Sequence, residues 1–251
     1  MRLFDLPPQR KRRHRLLALA ALLAAAGLFA LFGLSTETWV DIPGLKAHSL
    51  KWRLSMSLAY TALLFLAAAL AIGPLNVLRK RPLPANDMLR RDIAIWAGFL
   101  GLAHMSVGML VHTGDLQLWR LFFWSLPHKH DLLPLRKDLF SLANFAGLAQ
   151  ASILILLLAL SNNFALRRLG TRRWKNLQRL SYVAVALIAL HGTAYQLVER
   201  RDALVRAVFI GILLAVALLQ LTGLAWRLSR RRDPKREDAV DGEQSLISSL
   251  E

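Results

Sequence analysis

A chain of 251 residues that is 55% hydrophobic yet carries a formal net charge of +17 does not suit a soluble globule. It has no cysteine, which excludes disulfides, iron–sulfur clusters, thiolate catalysis and thioether-linked haem. The basic residues fall in blocks between long apolar runs, the layout of a multi-span membrane protein.

The first 15 residues form a basic N-terminus whose QRKRRHR leads into an apolar run at 16–34. That run, LLALAALLAAAGLFALFGL, has no polar face, is longer than the core of a signal peptide and is followed by no A-x-A-like site. We read it as a retained first span. Further apolar runs lie at 54–78, 93–112, 140–161, 180–198 and 204–228. Each is roughly 19–25 residues, enough to cross a hydrocarbon core of about 30 Å as a helix. The expected fold is therefore all-α, one transmembrane domain of six helices over 16–228.

Between the first two runs, Trp39, Pro43 and Gly44 mark an ordinary turn. The segment DLQLWRLFFWSLPHKHDLLPLRKD carries Trp119, Phe122, Phe123 and Trp124, which suits an amphipathic stretch at the membrane interface. After the last run the chain turns from basic to polar and acidic. Its basic part is expected against anionic headgroups, and 229–251 as a disordered tail. No internal repeat or low-complexity tract appears.

Orientation follows from the loop cations. Of the 33 Lys and Arg residues, 23 fall in the N-terminus, 79–91, 163–179 and the tail, and 10 in the three alternate loops. Positive charge stays inside, so both termini are expected in the cytoplasm.

Two histidines interrupt the apolar runs. His104 lies 13 residues past Arg91, and His191 lies 12 past Arg179. At about 1.5 Å per residue these are rises of roughly 20 and 18 Å, so the two imidazoles sit at nearly equal depth. Ionisable groups inside a membrane are costly and usually functional. Equal depth is what two axial ligands of one haem iron require. Gly98 and Gly101 before His104, and Gly192 after His191, would let a flat macrocycle approach the backbone. The plainer alternative is that the histidines make interhelical hydrogen bonds and the glycines aid helix packing.

Other polar residues carry weaker signals. His112, eight residues beyond His104, reads as a hydrated boundary histidine, or as lining the same face. His128, His130 and Asp131 form an H-x-H pattern that a solvated loop explains as well as a metal site. Asn144, Gln150 and Gln220 are expected to make interhelical hydrogen bonds. In 163–179, Arg172, Arg173, Trp174, Lys175 and Gln178 set cations beside an aromatic plane and an amide, a combination that suits a flavin (FMN or FAD) and its phosphate. Positive-inside charge alone also accounts for those cations. Zinc-protease, P-loop, dinucleotide and triad signatures are absent. The charge is juxtamembrane and lacks a recognition module, so a nucleic-acid partner is not expected.

Three stretches carry a resemblance: GPLNVLRKRPL at 73–83, RRDIAIWAGFLGLAH at 90–104, and RRLGTRRWKNLQRLSY with the later His191 at 167–191. They resemble the ferric-reductase-like transmembrane superfamily, and within it the haem-binding membrane subunits of bacterial periplasmic methionine-sulfoxide reductase systems. NADPH oxidases and STEAP-type metalloreductases are more distant relatives. The resemblance covers spans two to five. It implies a six-helix bundle in the bacterial inner membrane that binds haem b and passes electrons outward. One departure stands out. The family pattern W-x-x-L-H-x-L-x-Y reads WKNLQRLSY here, with Gln178 where an inner histidine belongs to a second haem site. One haem is therefore expected, on His104 and His191, with the inner site empty or taken by flavin.

The resulting expectation is an electron-transfer subunit rather than a complete enzyme. A six-coordinate haem leaves no open iron position for other chemistry. Electrons would come from cytoplasmic reduced flavin or NAD(P)H through a separate protein, such as a flavin reductase, and leave toward a periplasmic oxidoreductase subunit. A direct ferric-chelate reductase, binding substrate at Arg200, Arg201 and the HKHD loop, is the alternative. A non-redox scaffold or transporter would use the histidines only for packing.

Overall fold

Leucine and alanine dominate the apolar runs, and both favour helix. Hydrocarbon enforces the same choice, because a helix satisfies its own backbone hydrogen bonds. The computed structural model describes residues 7–34, 50–78, 86–113, 118–123 and 135–231. Within them run α1 (Pro8–Leu34), α2 (Leu50–Leu78), α3 (Asn86–His112), α4 (Leu139–Leu160), α5 (Asn163–Gln178), α6 (Leu180–Val198) and α7 (Ala203–Arg231), with a 3-10 turn at Leu118–Leu121. The described residues are all-helical apart from an isolated bridge between Phe123 and Leu135. Six helical stretches are long and apolar enough to cross a membrane, with α5 and α6 forming one of them, Asn163–Val198. Large apolar side chains such as Leu22, Leu23, Leu214 and Leu218 face outward, a surface suited to lipid.

The helices outrun the apolar segments at several ends, with α2 starting at Leu50 and α3 at Asn86. Helix α1 begins at Pro8 and absorbs QRKRRHR, so about half of the basic N-terminus is helical. Proline suits that first position because its missing N–H has no helical partner there. Helix α7 runs on to Arg231. The basic segment 163–178, expected as a connection, is helix α5. Asn162 starts it by accepting a 2.7 Å hydrogen bond from the Ala165 amide. Gly170, at φ 73° and ψ 157°, breaks it midway in a conformation that favours glycine. Trp39, Pro43, Gly44, Trp124, His128, His130, Asp131 and the tail from 232 lie outside the described residues.

Helix α2 packs along α3, and α4 along α6, while α1 and α7 flank α2. The two pairs meet mainly through α3 and α4, and α3 and α6 share almost no direct packing. The main apolar core, built of Phe32, Trp52, Met56, Tyr60, Leu63, Val205 and Phe209, joins α1, α2 and α7 at one end of the bundle. There the Tyr60 hydroxyl donates to the Val205 carbonyl at 3.0 Å.

The opposite end is held by charge. Asp92 on α3 is fully buried, with Arg10 at 2.9 Å, Arg13 at 3.0 Å and His14 at 3.5 Å. A buried carboxylate requires such partners, and removing them would leave an uncompensated charge at a cost of several kcal/mol, roughly 3–5. This cluster fixes the start of α1 against α3.

Candidate functional site

His104 on α3 and His191 on α6 face each other across the space between the two helix pairs. Their ring centroids are 6.3 Å apart, with planes at 79°. Each ring is held by the partner helix of its own pair. His104 Nδ1 lies 2.9 Å from the Ser55 carbonyl oxygen on α2 and 3.1 Å from the Ser55 hydroxyl. His191 Nδ1 lies 2.8 Å from the Ala143 carbonyl oxygen on α4. A carbonyl only accepts, so each Nδ1 carries the proton and donates. In the neutral imidazole that leaves Nε2 with its lone pair, the form that binds metals.

The spacing of the rings is also informative. A metal-bound imidazole nitrogen sits roughly 2 Å from its metal, which places the centroids of two opposed rings on one ion roughly 6 Å apart. Among the described residues, no group of three His, Cys, Asp or Glu side chains gathers to hold a metal. Two neutral imidazoles cannot complete the four-ligand shell of a structural zinc.

A cavity of about 230 Å³ surrounds the pair and extends along the bundle from Ser161, Gln178 and Ser181 to His112, Phe122 and Arg201. Its walls are mainly Ala, Gly, Leu and Met from α2, α3 and α4. Gly147 on α4 brings the backbone against His191. A Cβ there would lie 2.8 Å from Nδ1 and 2.9 Å from Cε1.

Beyond His191 the structure holds a polar network. The Tyr195 ring lies 4.9 Å from His191 and 5.4 Å from His112. Its hydroxyl donates to Asn144 Oδ1 at 2.8 Å. Glu199, 1% exposed, accepts a 2.7 Å hydrogen bond from Arg201 Nε and lies 3.5 Å from His112 Nε2.

The sequence-derived candidates separate on this geometry. His104, His191, Gly101, Gly192 and Gln178 all line the cavity; Arg172, Arg173 and Trp174 do not. Gly101 and Gly192 also serve helix packing, because an added Cβ would meet Leu154 on α4 at 3.0 Å and the Phe209 ring on α7. Arg172 and Arg173 are exposed. The Trp174 indole donates to the Leu160 carbonyl at 2.9 Å, tying α5 to the end of α4. Gln178 turns inward, and its Nε2 is buried without a hydrogen-bond partner. Cations, indole and amide therefore do not converge on one flavin pocket.

His112 is not a hydrated boundary residue. Its ring packs between Phe140 and Tyr195 and reaches Glu199, because α3 continues to it inside the bundle. Asn144 and Gln220 make the expected interhelical bonds, to Tyr195 and to the Leu70 carbonyl, whereas Gln150 lines the cavity. Of the Arg200–Arg201 pair, Arg201 points to Glu199, and the HKHD loop lies outside the described residues.

Sequence reading missed Ser55, Ala143, Gly147, Tyr195 and Glu199. Only Glu199 carried a visible signal, as an acid at the end of an apolar run. Backbone carbonyls carry none, since any residue supplies one. Comparison with known proteins adds no constraint: no family model, curated protein or solved structure matches this chain.

Proposed function

We propose that this chain is a membrane b-type cytochrome, the electron-transfer subunit of a larger redox system in the bacterial inner membrane. One observation carries the reading. Two imidazoles from different helix pairs point at one space, each with its Nδ1 proton held by a backbone carbonyl. Helix packing would account for the two carbonyl bonds, but it needs no cavity between the helices around the pair.

His104 and His191 would hold the iron of one haem, which supplies reversible one-electron chemistry when bound. The protein does the rest. The Ser55 and Ala143 carbonyls fix ring orientation and raise the basicity of each ligand. The apolar walls from α2, α3 and α4 exclude water from the site. An iron held by both imidazoles would have no open position for oxygen, which suits electron transfer.

Electrons enter, on this reading, from reduced flavin or a cytoplasmic flavin reductase near the basic face of α5. They leave at the Glu199 end toward a periplasmic oxidoreductase subunit. Both termini then lie in the cytoplasm, as the loop charges require.

An absorption spectrum of the detergent-purified protein tests this. A low-spin b-type spectrum is expected, and His104→Ala or His191→Ala should abolish it while the protein still inserts. Purified chain without haem absorbance, after expression with adequate haem supply, would leave the scaffold reading. A wild-type spectrum from His104→Ala would overturn the ligand assignment.

A further inference from the structure

Haem carries two carboxylate arms, and a carboxylate entering an apolar cavity needs a cation. Among the described residues that line the cavity, Arg201 is the only Lys, Arg, Asp or Glu. Among the described residues, the lining at the Ser161, Gln178 and Ser181 end has hydroxyls and an amide but no cation.

Arg201 is also built into place. Arg200 adopts φ 46°, a left-handed conformation uncommon for a non-glycine residue, in the turn between α6 and α7. The Arg201 amide then bonds back to the Gln196 carbonyl at 3.2 Å, and its guanidinium lies 6.0 Å from the Tyr195 ring. That ring in turn lies 4.9 Å from His191. Nε is committed to Glu199, and neither terminal amino group has a hydrogen-bond partner among the described residues. Glu199 faces His112 as well, so one protein carboxylate stands against two groups able to carry positive charge.

We infer that Arg201 anchors the carboxylate arms of the cofactor and so sets its orientation, with those arms toward the α6–α7 turn. Glu199 is a positioning residue that aims the guanidinium. The inference rests on the haem reading and goes beyond it, because the axial histidines alone leave the cofactor free to enter either way up.

The test uses the full chain stripped of haem and titrated with haem and with haem dimethyl ester, whose carboxylates are blocked. Wild-type protein should prefer haem by roughly tenfold, the size of one charged hydrogen bond. Arg201→Gln alone would strand the buried Glu199, so it is paired with Glu199→Gln. The double variant should lose the preference for haem over the ester. Arg201→Lys, which keeps the charge without the fork, should retain part of it. Equal wild-type affinity for the two porphyrins would overturn the inference, however the variants fold. So would a double variant that keeps the wild-type preference. Binding of neither porphyrin by wild type would instead defeat the haem reading itself.

Discussion

His191 Nδ1 lies 2.8 Å from the carbonyl oxygen of Ala143, one turn before the glycine against which the ring rests. The bond fixes the tautomer of His191, and Gly147 makes room for the ring that donates it. Helix α4 therefore contributes to the site without offering a side-chain ligand.

This contact predicts the effect of Gly147→Ala. The added carbon would press on both Nδ1 and Cε1, forcing the ring or the helix to move. Haem affinity of the stripped protein should fall roughly 10–100-fold, the range for lost support behind a metal ligand. Gly27→Ala, which meets nothing within 4 Å, is the control. Equal haem titrations for the two variants would show that Gly147 is not needed for the site.

Gln178 bears on stoichiometry. Its amide reaches the cavity, but glutamine is a poor iron ligand and α3 offers Arg90 and Arg91 at the matching depth. A pyridine haemochrome assay should return about one haem per chain. Gln178→His should gain little, for want of a partner on α3. A measured stoichiometry of two in the wild type would mean that the second site uses ligands of another kind.

Asp138 offers a pH-dependent test outside the membrane-spanning segments. Burial pushes its carboxyl up, but hydrogen bonds from Arg136 and the Ser141 amide outweigh this and hold it below its ordinary 3.8. A depressed carboxyl contributes stability above its unfolded value, and that contribution disappears as pH falls through the folded one. Asp138→Ala should therefore cost about 1 kcal/mol at neutral pH, the usual value of such a helix cap. The difference from wild type should shrink as pH falls below 3.8. Thermal melts in detergent across this range would show it, and a constant difference would mean that packing, not the carboxylate, matters at this position.

Arg172 and Arg173 are exposed on α5 and clear of the cavity, so they are suited to steering rather than to holding a cofactor. Arg172→Glu together with Arg173→Glu should slow haem reduction by an anionic flavin donor roughly tenfold at low salt, and flatten its salt dependence. The absorption spectrum should not change. Stopped-flow reduction over a range of ionic strength decides the matter. Unaffected rates would place the donor elsewhere, or identify it as a membrane-borne quinol.

The sequence by itself determined the six spans. Hydrocarbon thickness sets their length and forces helix, so the apolar runs mark the helices to within a few residues at most ends. Helical rise is constant, which made the equal depth of His104 and His191 readable from spacing alone. Charge did not forecast α5, because the Asn162 cap and Gly170 rather than polarity shape that segment. Tertiary structure alone decided which faces meet. In α1 and α2 the apolar residues run all round, so lipid-facing and core-facing sides look alike in sequence. Hence the carbonyls behind the two histidines, the pressure of Gly147 on one of them, and the turn that brings Arg201 to the cavity appear only once the helices pack.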